Sequence, residues 1–111
     1  MYIYRLQILS SKSCSEEQLN NIIGVSSNFL YANWGIEIIQ SGENFSEILV
    51  YFLSLLEGKY EKLESIGISR ENISIWILYE YEGQCNMEYD PVSMKKIGEN
   101  GIVLCISCWE K

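Results

Sequence analysis

The stretch LYEYEGQCNMEYD, Leu78 to Asp90, carries four carboxylates: Glu80, Glu82, Glu88 and Asp90. Gathered side chains of this type do three kinds of chemistry. Hard oxygen ligands hold magnesium or calcium. A carboxylate pair in a cleft exchanges protons with a substrate. Exposed carboxylates beside aromatic anchors meet a basic protein. The spacing suggests how the four are gathered. With Gly83, Gln84 and Cys85 as a loop, Glu82 faces Asn86, Tyr81 faces Met87, Glu80 faces Glu88 and Tyr79 faces Tyr89. That hairpin keeps apolar opposite apolar and polar opposite polar, whereas a shorter loop sets Glu80 against Met87. It also places two like charges directly across from each other, at a cost of a few tenths to about 1 kcal/mol. Trp76 and Leu78 share the strand face of Glu80 and provide an apolar anchor beside the charge. The ordinary alternative is a solvated face on which Asp90 merely caps a helix.

Other chemistries find less support. Cys105 and Cys108 form a C-x-x-C within the run Ile102 to Trp109, which is β-branched and apolar. Residues three apart on a strand point to opposite faces, about 10 Å apart along it, too far for a disulfide. Zinc sites place this motif on a turn, and the chain has no histidine. Cys14 and Cys85 lie near loops with no partnering pattern, so free, buried thiols are expected. There is no calcium-loop spacing and no Gly-rich phosphate loop. No metal, cofactor or catalytic residue is therefore assigned, and a non-enzyme is expected.

The charge balance narrows the partners. Fifteen acidic and eight basic residues among 111 give a net charge of −7. No basic residue lies between Lys12 and Lys59, an interval that holds Glu16, Glu17, Glu37, Glu43, Glu47 and Glu57. Such a surface repels phosphate backbones, which excludes nucleic acid as the expected partner. It attracts a basic protein and speeds its docking. Glu43, Glu47 and Glu57 make a second candidate surface beside Glu80, Glu82, Glu88, Asp90 and Trp76. No apolar run reaches the roughly 20 residues that span a bilayer, and the opening MYIYRLQILSSK has no signal-peptide core, so a cytoplasmic protein is expected.

The elements that position these residues follow from periodicity. YIYRLQIL alternates as a strand, with Tyr2, Tyr4, Leu6 and Ile8 on one face. SEEQLNNIIG reads as a short helix with Ser15 and Gln18 as a capping box. NWGIEIIQ is extended. Asn44 and Glu47 suggest another capping box at the start of a long helix, whose apolar face runs from Phe45 to Leu63, with Gly58 as a break and Gly67 as its stop. NISIWILYEYE is a strand and NMEYD its hairpin partner. Asp90 and Pro91 open a short helix, and IVLCISCW closes the chain as a strand. The tryptophans Trp34, Trp76 and Trp109 all fall in strands and are expected to supply core area. The fold class expected is α+β in a single domain, residues 1–111. It comprises one mixed, mainly antiparallel sheet of about five strands with helices mainly on one face.

The succession of SEEQLNNIIG, NWGIEI, the long FSEILVYFLSLLEGKYEKLESIG helix and the closing block from Ile73 to Glu110 resembles a family of small bacterial domains of unknown function. Some of these look like immunity proteins of toxin–immunity gene pairs. The resemblance spans nearly the whole chain and rests on core and turn positions, so it carries over no catalytic residue. It implies neutralisation of a basic, nuclease-like toxin domain by direct binding. The alternatives are a phage- or plasmid-encoded inhibitor of a host defence protein, a small-ligand binder, and a divalent-metal-dependent enzyme using strand carboxylates.

Overall fold

The computed structural model describes residues 1–111. The chain runs β1 (Tyr2–Ile8), α1 (Glu16–Ile23), β2 (Trp34–Gln40), α2 (Phe45–Leu56), α3 (Tyr60–Ser65), β3 (Ile73–Tyr81), α4 (Pro91–Asn100) and β4 (Val103–Glu110), with one 3-10 turn at Arg70–Asn72 before β3. The sheet order is β2-β1-β3-β4. β1 runs antiparallel to both β2 and β3, and β3 pairs with β4 in parallel. The chain is thus α+β with one mixed, mainly antiparallel sheet.

Alternation along the strands decides which face is buried. Tyr4, Leu6 and Ile8 of β1 and Ile73, Ile75 and Ile77 of β3 are buried on one side, and Trp34 and Ile36 of β2 join them. Onto this side pack Leu19 and Ile23 of α1, Phe45, Ile48, Leu49, Phe52 and Leu56 of α2, Leu63 of α3 and Ile97 of α4. Each of these larger side chains contributes about 1.5–3 kcal/mol on full burial. The opposite face carries Ile3, Arg5, Trp76, Leu78, Val103 and Trp109 and has no helix over it. Phe29, from the loop before β2, folds onto that face. There it packs on Gly35, where an added Cβ would lie 2.9 Å from the ring, and Arg5 stacks over it at 4.4 Å.

The sheet has four strands rather than five. NMEYD forms no strand, and the hairpin that would set Glu80 opposite Glu88 does not exist. The flank of β3 is occupied instead by β4, with Glu80 beside Trp109. β4 is longer and richer in β-branched and apolar residues than NMEYD, whose Asn and Asp favour turns and whose Glu is poor in strands. Asp90 is also already committed: its carboxylate accepts from the Ser93 N–H and hydroxyl, both at 2.8 Å, as the cap of α4. α4 is then the crossover that a parallel pairing requires.

Two helix starts also differ from expectation. At α1 Ser15 accepts from the Gln18 N–H at 3.1 Å, but the Gln18 side chain does not return a bond to the Ser15 N–H, so the box is half formed; at α2 Asn44 makes no side-chain cap and Glu47 does not complete a box. Glu43 caps α2 in their place, accepting from the Phe45 N–H at 2.7 Å, while the Tyr4 hydroxyl accepts from the Asn44 N–H at 3.0 Å. Gly58, at φ +74°, breaks the long helix into α2 and α3. Trp34 is fully buried, whereas Trp76 is half-buried and Trp109 exposed on the uncovered face. The cysteines are not buried either. Cys14 and Cys85 are half-buried in loops and Cys105 is half-buried on the uncovered face, while Cys108 is exposed where the C-terminal half of the edge strand β4 extends beyond the helices.

Candidate functional site

The four carboxylates of the acidic stretch separate into two pairs. Glu80, next to last in β3, lies on the uncovered face and accepts from the Trp109 indole N–H at 3.1 Å. Glu82 lies 3.6 Å from the Lys111 ammonium, in an exposed ion pair worth less than about 1 kcal/mol. These two side chains therefore already have partners on β4 and its end. Glu88 and Asp90 belong to the irregular segment that leads into α4, at the end of the covered face. There they meet Glu43 of the second candidate surface. Glu43, Phe45, Ser46, Glu88, Tyr89, Asp90 and Pro91 line one groove, and no basic side chain is among them. Glu47 stands exposed on α2. Glu57 lies in a separate groove that includes Lys96. Trp76 points away from the groove, onto the uncovered face, with its indole N–H donating to the Ser74 hydroxyl at 2.9 Å.

Beside the groove is a cavity of about 110 Å³ lined chiefly by Tyr2, Tyr4, Phe45, Ile77, Met87 and Tyr89, with Glu43 and Glu88 at its polar rim. Its construction follows from the sequence. Alternation in β1 puts Tyr2 and Tyr4 on the covered face, and the start of α2 places Phe45 above them. The segment after Cys85 then lays Met87 and Tyr89 across Ile77. The aromatic rings form a continuous run. Tyr79 stacks on Tyr2 at 4.4 Å and Tyr2 on Tyr4 at 6.0 Å. Tyr4 stacks on Phe45 at 6.3 Å, and Phe45 meets Tyr89 edge-on at 5.7 Å. The Tyr89 hydroxyl donates to the Met87 thioether at 3.1 Å, which ties the two lining side chains together.

The electrostatics make these tyrosines neutral walls rather than bases. Burial, the hydrogen bond to Tyr79 and nearby negative charge push Tyr2 up to about 12. Burial likewise raises Tyr4 and Tyr89. Asp90 is held below the usual carboxylate range by its hydrogen bonds from Ser93, so it is charged at neutral pH. Although three carboxylates share the groove, no group of three or more Asp, Glu or Cys side chains converges closely enough to hold a metal ion. Chemically, the arrangement can receive a cationic side chain. Aromatic rings and carboxylates both attract an ammonium or guanidinium group.

Tyr2, Tyr4, Phe45, Met87 and Tyr89 were not singled out from the sequence. The alternation of Tyr2 with Tyr4 was legible there, but nothing local indicates that the residues after Cys85 cross the sheet end and close a cavity over it. No protein-family profile matches the chain, and no curated protein or solved structure shows significant similarity to it.

Proposed function

We propose that this chain is a non-catalytic acidic protein-binding domain whose partner is a basic protein, most concretely an immunity protein that occupies a basic, nuclease-like toxin domain. The observation that carries the reading is the groove between α2 and α4. Three carboxylates from two separate segments line it without a compensating cation, and it adjoins an aromatic cavity. A lysine or arginine of the partner enters this notch, with its charge at Glu43 and Glu88 and its methylene stem against Phe45 and Tyr89. Such a contact combines charge-assisted hydrogen bonds at the carboxylates with apolar packing of the stem on the rings. The net charge of −7 steers a basic partner toward the surface before docking. The resemblance to immunity-type domains supplies the toxin as the specific partner.

The test starts with capture from lysate of the source organism, eluted by a salt gradient and identified by mass spectrometry. A single basic protein released at high salt is expected. Its affinity is then measured against the double variant Glu43→Lys/Glu88→Lys. The expected result is roughly tens-fold weaker binding with an unchanged circular dichroism spectrum. The matching Glu80→Lys/Glu82→Lys variant weakens binding less, because those carboxylates lie outside the groove, beside Tyr79, Tyr81 and Lys111. Undiminished binding by the folded Glu43/Glu88 variant would overturn the assignment of the groove.

A further inference from the structure

Cys85 and Cys108 lie with their sulfur atoms 3.8 Å apart, although 23 positions separate them in sequence and neither is in a disulfide. Their elements make this contact specific. Cys108 sits near the end of β4, opposite Tyr79, on the face that the helices cover further back. Cys85 follows directly on the turn at Gly83, in the segment that crosses that end of the sheet. Cys105 is three residues before Cys108 and points to the opposite face, so strand geometry removes it as a competitor. Cys14 is engaged elsewhere, accepting a hydrogen bond from the Asn33 amide at 3.7 Å.

We propose that Cys85 and Cys108 form a reversible intramolecular disulfide when the protein meets a peroxide or a low-molecular-weight disulfide. Bond formation requires the sulfurs to close to about 2.05 Å. The movement falls on a segment with little to resist it. Between Glu82 and Asp90 the only backbone N–H with a backbone acceptor is that of Gln84, which donates to Glu82. Cys108 is exposed, so the oxidant reaches it without local unfolding. With hydrogen peroxide, the Cys108 thiolate attacks one oxygen and the O–O bond breaks. This gives a sulfenic acid and a hydroxide that leaves as water. The Cys85 sulfur then attacks the Cys108 sulfur. The S–S bond forms, the S–O bond breaks, and the second hydroxide departs as water with the Cys85 proton. Two thiols lose two electrons and two protons, and one peroxide becomes two waters. With a small disulfide, the same pair is oxidised by two exchange steps that release two small thiols. The product pins the segment bearing Met87, Glu88 and Tyr89 to the edge strand, and so fixes one wall of the aromatic cavity. The inference stands on the cysteine geometry and does not depend on the proposed partner.

The experiment uses the full chain, reduced, desalted and exposed separately to hydrogen peroxide and to oxidised glutathione. Intact mass and a tryptic map are recorded without reductant. Trypsin cuts at Lys95 and Lys96, between the two cysteines, whereas Cys105 and Cys108 remain on one peptide. The Cys105→Ser variant therefore assigns the bond. The expected result is the loss of two hydrogens and a peptide pair linked through Cys85 and Cys108, both reversed by dithiothreitol and both retained in Cys105→Ser. In Cys85→Ser, Cys108 should instead accumulate as a sulfenic acid or a glutathione adduct. A bond from either cysteine to Cys14 or Cys105, predominant disulfide-linked dimers, or independent over-oxidation of both sulfurs without a cross-link would each overturn the proposal.

Discussion

The carboxylate of Asp90 belongs to the acidic stretch in the sequence and to a helix cap in the structure. Both roles were legible, since Asp followed by Pro is a helix-opening pair. What was not legible is that capping consumes both of its oxygens through Ser93. Glu43 shows the converse. The sequence pairs Asn44 with Glu47 as the better capping box, yet Glu43 accepts the Phe45 N–H and also faces the groove. Spacing rules rank caps by type and offset, and they do not see that the Tyr4 hydroxyl has already taken the Asn44 N–H. Asp90 permits a signed prediction. Its hydrogen bonds depress its pKa in the folded state, so its contribution to stability is present above the unfolded value near 3.9 and lost as pH falls through the lower folded value. Asp90→Ala should therefore lower the melting temperature at neutral pH. The gap from the parent should narrow as pH falls below about 4. Melting curves of both proteins between neutral and strongly acidic pH check this, and a gap that widens in acid contradicts it.

At the scale of elements, most of the chain was readable because its signals are local. The alternation of β1 and β3, the Ser15 cap of α1, the apolar face of α2 and the break at Gly58 all follow from residues close together in sequence. The failure at NMEYD has a different cause. Apolar and polar alternation in that segment satisfies a hairpin register, but pairing is a competition for one flank of β3. The winner, β4, lies beyond a helix and is invisible to local pattern. The two arrangements differ in which amides are protected. In the observed fold, the N–H groups from Cys85 to Tyr89 have no backbone acceptors, whereas the β3–β4 ladder extends from Ser74 to Tyr81. Hydrogen exchange should thus find the amides of Cys85 to Tyr89 fast and those of Ile75 to Tyr79 slow. Protection at Met87 and Tyr89 comparable to that of β3 would restore the hairpin, and with it the opposition of Glu80 and Glu88.

For the whole molecule, the acidic balance was plain from composition, but the place where it matters was not. The groove joins Glu43 to Glu88 and Asp90 across 45 positions of sequence, counted from Glu43 to Glu88. That junction depends on the sheet order and on the path of the segment after Cys85. The same long-range closure brings Cys85 to Cys108, so the oxidised and reduced forms test the global topology as well as the local contact. A cross-link spanning 23 positions removes loop entropy from the unfolded chain worth about 3 kcal/mol before any strain in the folded state. For a domain of this size, a stabilisation of that order corresponds to roughly 10–20 °C in melting temperature. Strain from the closure, or slack in the reduced segment, reduces the gain. Calorimetry of the oxidised protein, with the Cys85→Ser variant under the same conditions as control, should show a higher melting temperature only for the protein that carries the bond. An oxidised protein that melts at or below its reduced form would mean that the bond distorts the fold, and that the folded chain does not hold these two sulfurs in contact.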